Sequence, residues 1–287
     1  MNKALNKAWR WTKKNKWTIL IFLVASLIAV VMIYPLLWMI STSLKDKFYV
    51  YNTGLFFSNW KFSNYVAIFR ETMLARSILN SFIVAIPPLI VSNVVCAVAA
   101  FAFAKIDFKG KGAVFMIMLS TMMIPFAVVM IPQFVLFKMI GLLSAGAAAL
   151  IVPKLFGSIG AIFFMRQYMY GIPNSLIESA EIDGASHLRI VFTIVLPLCM
   201  PVIITQFILG FIGTWGDYMG PLIFIRDRNW WTVPLVIARY NSGIAGSDAD
   251  LPKLMAASLV SMLPIFVVFA VFQKKIINSV MLSGMKL

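Results

Sequence analysis

Residues 172–201 read IPNSLIESAEIDGASHLRIVFTIVLPLCMP, and the segment holds three of the chain's ten acidic residues, Glu178, Glu181 and Asp183, together with its one histidine, His187. It lies between two strongly apolar runs. Pro173 stops any helix arriving from the first run, because its ring fixes φ and removes an amide donor. Ser175 with Glu178 matches the S-x-x-E capping box and predicts a helix start there. Acids in such a first turn oppose the helix dipole favourably, by ~0.3–1 kcal/mol each. Asp183–Gly184 is a turn signal, and after it ASHLRIVFTIVLPL resumes helical spacing and enters the second run. The segment thus predicts a helix, a glycine turn and a second helix. Leu176, Ile177, Ala180, Ala185 and Leu188 form an apolar ridge along it, and such a ridge outside a membrane needs a partner to cover it. The small residues Ala180, Gly184 and Ala185 would let another protein approach the backbone closely.

The rest of the chain says what surrounds this element. Of its 287 residues, 61% are hydrophobic and 12% charged, against roughly 45–50% and about 25% in soluble domains, so the apolar surplus requires a membrane. Apolar runs of the about 20 residues that a ~30 Å hydrocarbon core demands occur near residues 17–41, 79–104, 114–137, 147–165, 191–213 and 254–272. The expected fold is all-α: a single transmembrane domain over residues 1–287 with six membrane-spanning helices, and a helix-turn-helix segment near 168–190 between the fourth and fifth spans. The net charge of +15 does not indicate nucleic acid, whose binders gather Lys and Arg on one polar face or tail. Here the basic residues bracket the apolar runs, as anionic lipid head groups and the positive-inside rule require.

Lys3, Lys7, Arg10, Lys13, Lys14 and Lys16 precede the first run without an acid, and KIDFKGKG adds Lys105, Lys109 and Lys111. Both segments are expected on the cytoplasmic side, which places both termini and residues 168–190 there as well. The first run exceeds the ~7–15 residues of a signal-peptide core, so it reads as an uncleaved anchor. Trp9, Trp11, Trp17, Trp230 and Trp231 fit interfacial anchors. Pro87, Pro88, Pro125, Pro132, Pro153, Pro197, Pro201 and Pro264 lie within the runs; they either kink helices around a cavity or reflect the ordinary tolerance of spans for proline. Cys96 and Cys199 fall in apolar runs with no zinc or redox spacing and read as small hydrophobes.

Glu178, Glu181, Asp183 and His187 are also the residue types of an acid–base or metal site, and Asp183 and His187 are four apart. The turn at Gly184 would break the helix between them, and no second histidine is present. A multi-pass membrane enzyme using Glu181, Asp183 and His187 stays a competing reading.

The spacing Glu178, Ser179, Ala180, three residues, Gly184, nine residues, Ile194, one residue, Leu196, Pro197 resembles the "EAA" loop of permease subunits in bacterial binding-protein-dependent ABC importers. The family pattern usually has Ala where this chain has Ser179. NSFIVA at Asn80–Ala85, AFAFAKIDFKGK at Ala100–Lys111, GTWGDYMGPLIF at Gly213–Phe224 and MAASLVSMLPIFVVFAVFQKK near the C-terminus are similar to the sugar-importing branch, of the type of the smaller permease of the maltose transporter. The relatives end in a Gly-rich tail that touches the ATPases, whereas this chain ends SGMKL and keeps only Gly284 and Lys286 of it.

The resemblance implies a permease in a bacterial cytoplasmic membrane that imports a sugar or oligosaccharide. Its implied partners are a second homologous permease, two cytoplasmic ATPase subunits and an extracellular sugar-binding protein. It also implies that Glu178, Ser179, Ala180, Asp183, Gly184, Ala185, Ile194, Leu196 and Pro197 couple the chain to an ATPase. No cofactor is expected in this chain. ATP and Mg would be held by the partner ATPases, since GKG at Gly110–Gly112 is too short for a phosphate-binding loop.

Polar side chains inside a span are candidates for the translocation path, because placing Lys or Asp in hydrocarbon costs ~2.5–3.5 kcal/mol on insertion scales. Asn93, Gln133, Lys154, Gln206 and Asp217 meet that criterion. Lys154 has the alternative of snorkelling to the outer interface, and the amides that of bonding between helices. An ion-coupled secondary transporter would use Lys154 or Asp217 as its coupling group. NSGIAGSDADLP at Asn241–Pro252 reads either as a flexible connector or as the loop that reaches toward the binding protein.

Overall fold

The computed structural model describes residues 16–50, 60–241 and 250–284, and among them every regular element is helical. In chain order these are α1 (Lys16–Ser43), α2 (Ser63–Glu71), α3 (Leu74–Lys105), α4 (Lys111–Thr121), α5 (Phe126–Met139), α6 (Ala148–Leu155), α7 (Ile159–Met169), α8 (Asn174–Ile182), α9 (His187–Ile190), α10 (Leu196–Trp215), α11 (Met219–Phe224), α12 (Val233–Asn241) and α13 (Leu251–Gly284). A π-helical stretch, Val191–Val195, joins α9 to α10. Five helical stretches are long and apolar enough to cross a membrane, or six if the bent pair α4–α5 is counted as one. The basic residues before Lys16, Trp9 and Trp11, the 242–249 part of the Gly- and Asp-rich loop, and Lys286 lie outside the described residues.

Proline and glycine set where these helices depart from simple rods. The expected crossing at 114–137 consists of two helices bent by 95°, a broken span or a re-entrant loop. Pro125, extended at φ −61° and ψ 142°, begins the second of them. A proline disfavours helical geometry in the residue before it, so α4 cannot run through Ile124. The span near 147–165 is likewise broken between Leu155 and Ile159, at Gly157 with φ +88°. Ser158 restarts the helix by accepting a bond from the Ala161 amide at 3.2 Å. In the π stretch the Leu196 amide reaches back to the Val191 carbonyl. Pro197 has no amide for the Thr193 carbonyl and its ring crowds that oxygen, which a widened turn relieves.

The described residues within 1–71 and 243–260 form one compact unit, and those within 72–242 and 261–287 form another. In the first, the end of α1 is tied to α2 by buried polar groups. The Asn64 amide donates to the carbonyls of Ser43 and Lys45 at 2.8 and 2.9 Å, and the hydroxyls of Ser43 and Tyr65 meet at 2.8 Å. Lys253 bonds Glu71 at 2.7 Å and stands 3.5 Å from Asp250. Asp46 pairs with Lys61.

The Lys61 ammonium beside Asp46, with the Phe48 amide, holds that carboxyl below its ordinary value of 3.8. A depressed folded-state value means the pair stabilises fully above that ordinary value and ceases to as the pH falls through the lowered one. Asp46→Asn should therefore remove part of the acid-side loss of thermal stability below about pH 4 and leave the neutral-pH profile unchanged in shape. Thermal unfolding across pH would measure this; an unaltered acid limb would speak against it.

In the second unit α3 is the central element, packed against α6, α7, α10 and α12. Its buried positions are rich in small residues, among them Ser77, Ser81, Ala85, Ser92, Cys96, Ala97 and Ala100. Small side chains let helices approach closely, the usual packing mode where lipid supplies no hydrophobic drive between them. At Gly210 of α10 a Cβ would stand 2.6 Å from Leu89 of α3. One core cluster joins Phe101, Phe103, Phe115, Met165, Met169, Ile190, Val195 and Cys199, and it is this core that carries the 172–201 segment.

Candidate functional site

The 172–201 segment folds as a helix, a glycine turn and a second helix. Pro173 precedes α8 with ψ 134°, and no side-chain cap is made there. The expected capping box is thus corrected. Ser175 already lies inside the first turn, and its carbonyl accepts the Ser179 hydroxyl at 2.7 Å. Lys105 fixes this end instead: its ammonium donates to the Ile172 carbonyl at 2.6 Å and to the Asn174 side-chain oxygen at 2.7 Å. Lys105 ends α3, where a cation also complements the negative pole of the helix. Charge-assisted bonds of this kind contribute about 1.5–3 kcal/mol. Lys105→Met should therefore lower stability by about 1–3 kcal/mol and hasten proteolysis near Gly171–Asn174; an undiminished protease half-life would contradict this anchoring.

The turn has two reinforcing bonds. The Ala185 amide donates to the Ala180 carbonyl and the Gly184 amide to the Glu181 carbonyl, both at 2.9 Å, and Gly184 has φ +77°. This is the Schellman arrangement, in which a left-handed residue satisfies the last carbonyls of a helix. Ser186 caps α9 by accepting from the Arg189 amide at 3.4 Å. His187 and Glu181 meet at 3.2 Å across the turn.

Outward from this frame, Glu178, Ser179, Asp183 and Gly184 are exposed. A Cβ on Gly184 would meet nothing within 4 Å. The ridge divides in two. Ile177 is buried, and Ala180 and Ala185 pack partly against the chain's own core. Leu176 and Leu188 face outward together with Ile182, which is 86% exposed. Ile194 and Leu196 also lean on the core, while Pro197 is exposed. The segment is therefore an inner face that holds on to the membrane helices and an outer face of Leu176, Glu178, Ile182, Asp183, Gly184 and Leu188 left open.

As chemistry, the cluster is poor. Glu181 and His187 engage each other, Asp183 ends α8, and among the described residues no three His, Cys, Asp or Glu side chains are grouped to hold a metal.

Of the intramembrane polar residues, Lys154 and Asp217 come together. Lys154, at the end of α6, donates to the Thr214 hydroxyl of α10 at 3.2 Å, and Asp217 is near enough to interact with it electrostatically. Asp217 also accepts from the Gly220 amide at 3.0 Å, which starts α11. Lys154 is thus tied to α10 by a side-chain bond. Asn93 is buried on α3, its amide returned to the Leu89 carbonyl at 2.8 Å and its oxygen unbonded. Gln133 and Gln206 are half-buried. Sequence reasoning missed Lys105, Thr214 and Ile182. The first two act on partners 60 to 69 residues away, with no local signal, and the third is distinguished only by the face on which it falls.

Residues 92–282 match the family described as binding-protein-dependent transport system inner membrane component. The chain belongs to this family. The permease is 31% identical over 268 residues to the arabinooligosaccharides transport system permease protein AraQ of Halalkalibacterium halodurans, covering 90% of this chain and 93% of that one. It is 28% identical over 253 residues to the diacetylchitobiose uptake system permease protein NgcG of Streptomyces coelicolor, covering 88% and 83%. A solved bacterial ABC transporter involved in the import of the acidic polysaccharide alginate contains a chain of the same fold, with a TM-score of 0.81 at 22% identity, covering 91% of this permease and 97% of that chain. The permease is therefore a multi-pass component of a transport system.

Proposed function

We propose that the permease is one of two membrane halves of an ATP-driven importer, acting over its whole length as a single transmembrane domain and carrying a sugar or oligosaccharide delivered by an extracellular binding protein. The observation that carries this reading is the exposed helix–glycine–helix element, rigidly held from beneath and open on its outer face, in a chain of this family. Its outer residues Leu176, Glu178, Ile182, Asp183 and Gly184 would seat in a cleft of a nucleotide-binding subunit. Ala180, Ala185, Ile194 and Leu196 would pass the motion into α7, α9 and α10 through the shared core. Both termini and this element then face the cytoplasm, and ATP with Mg is bound by the partner subunits.

The sugar class is supported by the relatives, whose names specify arabinooligosaccharides and diacetylchitobiose. Lys154, Thr214 and Asp217 offer donors and acceptors suited to hydroxyl-rich cargo, with Asn93, Gln133 and Gln206 as further polar positions along the path. The deciding experiment is purification of the full-length chain from its native membrane. A nucleotide-binding protein, a second permease and binding-protein-stimulated uptake of an oligosaccharide are the expected results. Transport without any ATPase partner would overturn the reading in favour of ion coupling.

A further inference from the structure

The 32-residue helix α3 spans about 48 Å at 1.5 Å per residue, with Lys105 and the 174–190 element at one end. At the other end lies a cluster of cations that the transport reading does not use. Arg76 donates to the Asn229 carbonyl at 2.9 Å. The Arg226 guanidinium lies over the Phe134 ring, 5.7 Å from its centre. Arg228 and Arg239 share one indole, standing 5.0 and 5.7 Å from the ring of Trp231. Lys138, in the last turn of α5, is exposed nearby in sequence to Phe134. Among the described residues none of these five cations has a carboxylate partner. The one acid in the loop, Asp227, is turned onto the Asn229 amide at 2.9 Å.

The loop that presents them is firmly held. The Asn80 amide donates to the carbonyls of Asn229 and Trp231 at 2.8 and 3.0 Å. The Val233 amide donates to the Ser81 hydroxyl at 3.0 Å. The Trp230 indole packs so closely on Gly146 that no Cβ would fit there. Two guanidinium groups on one ring repel each other, and the arrangement calls for an anion.

Two kinds of anion would answer the charge, an acidic protein surface and a phospholipid head group, and the neighbouring surface favours the second. Phe134, beneath Arg226, belongs to α5, whose Val128, Ile131, Val135, Leu136 and Met139 are exposed apolar side chains. An amphiphile meets both chemistries at once, its phosphate on the arginines and its acyl chains along α5. Tryptophan beside arginine at the end of apolar helices is also the composition of a membrane interface.

We propose that Arg226, Arg228 and Arg239, on the Phe134 and Trp231 rings, form a binding site for the head group of an anionic phospholipid. Planar guanidinium forks, placed over aromatic rings and without carboxylate partners among the described residues, match phosphate oxygens in bidentate geometry.

The test uses the full-length permease, purified with its partners and titrated with phosphatidylglycerol or phosphatidylcholine under native mass spectrometry and thermal unfolding. Phosphatidylglycerol should be retained and should raise the unfolding temperature more than phosphatidylcholine does. Arg226→Gln with Arg228→Gln should weaken its retention about tenfold, and the corresponding Lys pair should restore most of it. Lys109→Gln, at the other end of the helices, should weaken it far less than the arginine pair does. The proposal is overturned if phosphatidylcholine protects equally, if the Gln pair retains phosphatidylglycerol as the unaltered chain does, or if inorganic phosphate alone gives the whole effect. It is also overturned if the Gln pair lowers affinity for the extracellular binding protein while lipid retention stands unchanged. None of these outcomes depends on which cargo is carried.

Discussion

Gly184→Leu should leave the permease folded and inserted but should lower ATP-driven uptake by at least about tenfold, through loss of a contact worth more than about 1.4 kcal/mol. The glycine sits at φ +77° with no atom within 4 Å of where a Cβ would go. The clash introduced by leucine therefore falls outside the chain, on whatever docks there. Within the chain the only cost is left-handed backbone, about 1–2 kcal/mol, borne by an exposed turn remote from the buried core. Gly184→Ala carries the same backbone cost with little bulk and separates the two effects. Alanine should shift thermal stability about as much as leucine while keeping most of the uptake. Co-purification of the ATPase and uptake into vesicles measure the first effect, and thermal unfolding the second. Undiminished ATPase association in the leucine variant would sink the assignment of this turn as the docking element.

Much of that element was legible because its determinants are local. A proline, a glycine next to an aspartate and the helical spacing on either side fix a helix, turn and helix without reference to distant residues. The capping box failed for a local reason too: S-x-x-E specifies a cap only if the chain enters the helix at the serine, and here the cap position falls two residues sooner, at Pro173. Which of the small and apolar side chains face outward was not legible. Ala180 and Ala185 turn inward because the core of Phe101, Met169 and Ile190 lies beneath them, and that core is assembled from helices far apart in sequence.

The spans show the same division. Composition located each apolar run, since hydrocarbon imposes length and polarity on every crossing. It did not separate a straight helix from a broken one. Pro87 and Pro88 sit within an unbroken α3, whereas Pro125 starts a new helix after a break at which the chain bends by 95°. The difference depends on whether neighbours accept the freed carbonyls, which is a property of packing. Lys154 likewise read as either a path residue or an interfacial one. Its bond to Thr214, sixty residues away, has no local signal that could have shown it.

The largest stability loss is expected at the break between α6 and α7. Gly157 combines φ +88° with a Cβ position 2.6 Å from the sulfur of Cys96. That sulfur is fully buried and is engaged by the Ser158 amide at 3.3 Å, so it cannot simply swing aside. Gly157→Ala should cost about 2–4 kcal/mol, of which about 1–2 is left-handed backbone and the rest overpacking against the sulfur. Gly157→Val, branched at Cβ, should cost more and reduce the yield of folded protein. Cys96→Ala provides the decisive comparison, because it removes the sulfur but leaves the backbone geometry in place. In that background Gly157→Ala should cost only the backbone share. The coupling between the two positions, read from thermal or denaturant unfolding of the four proteins, should be about 1–2 kcal/mol in favour of the double variant. Equal costs in both backgrounds would mean that the break is shaped by backbone conformation alone and that Cys96 does not set how closely α3 approaches it.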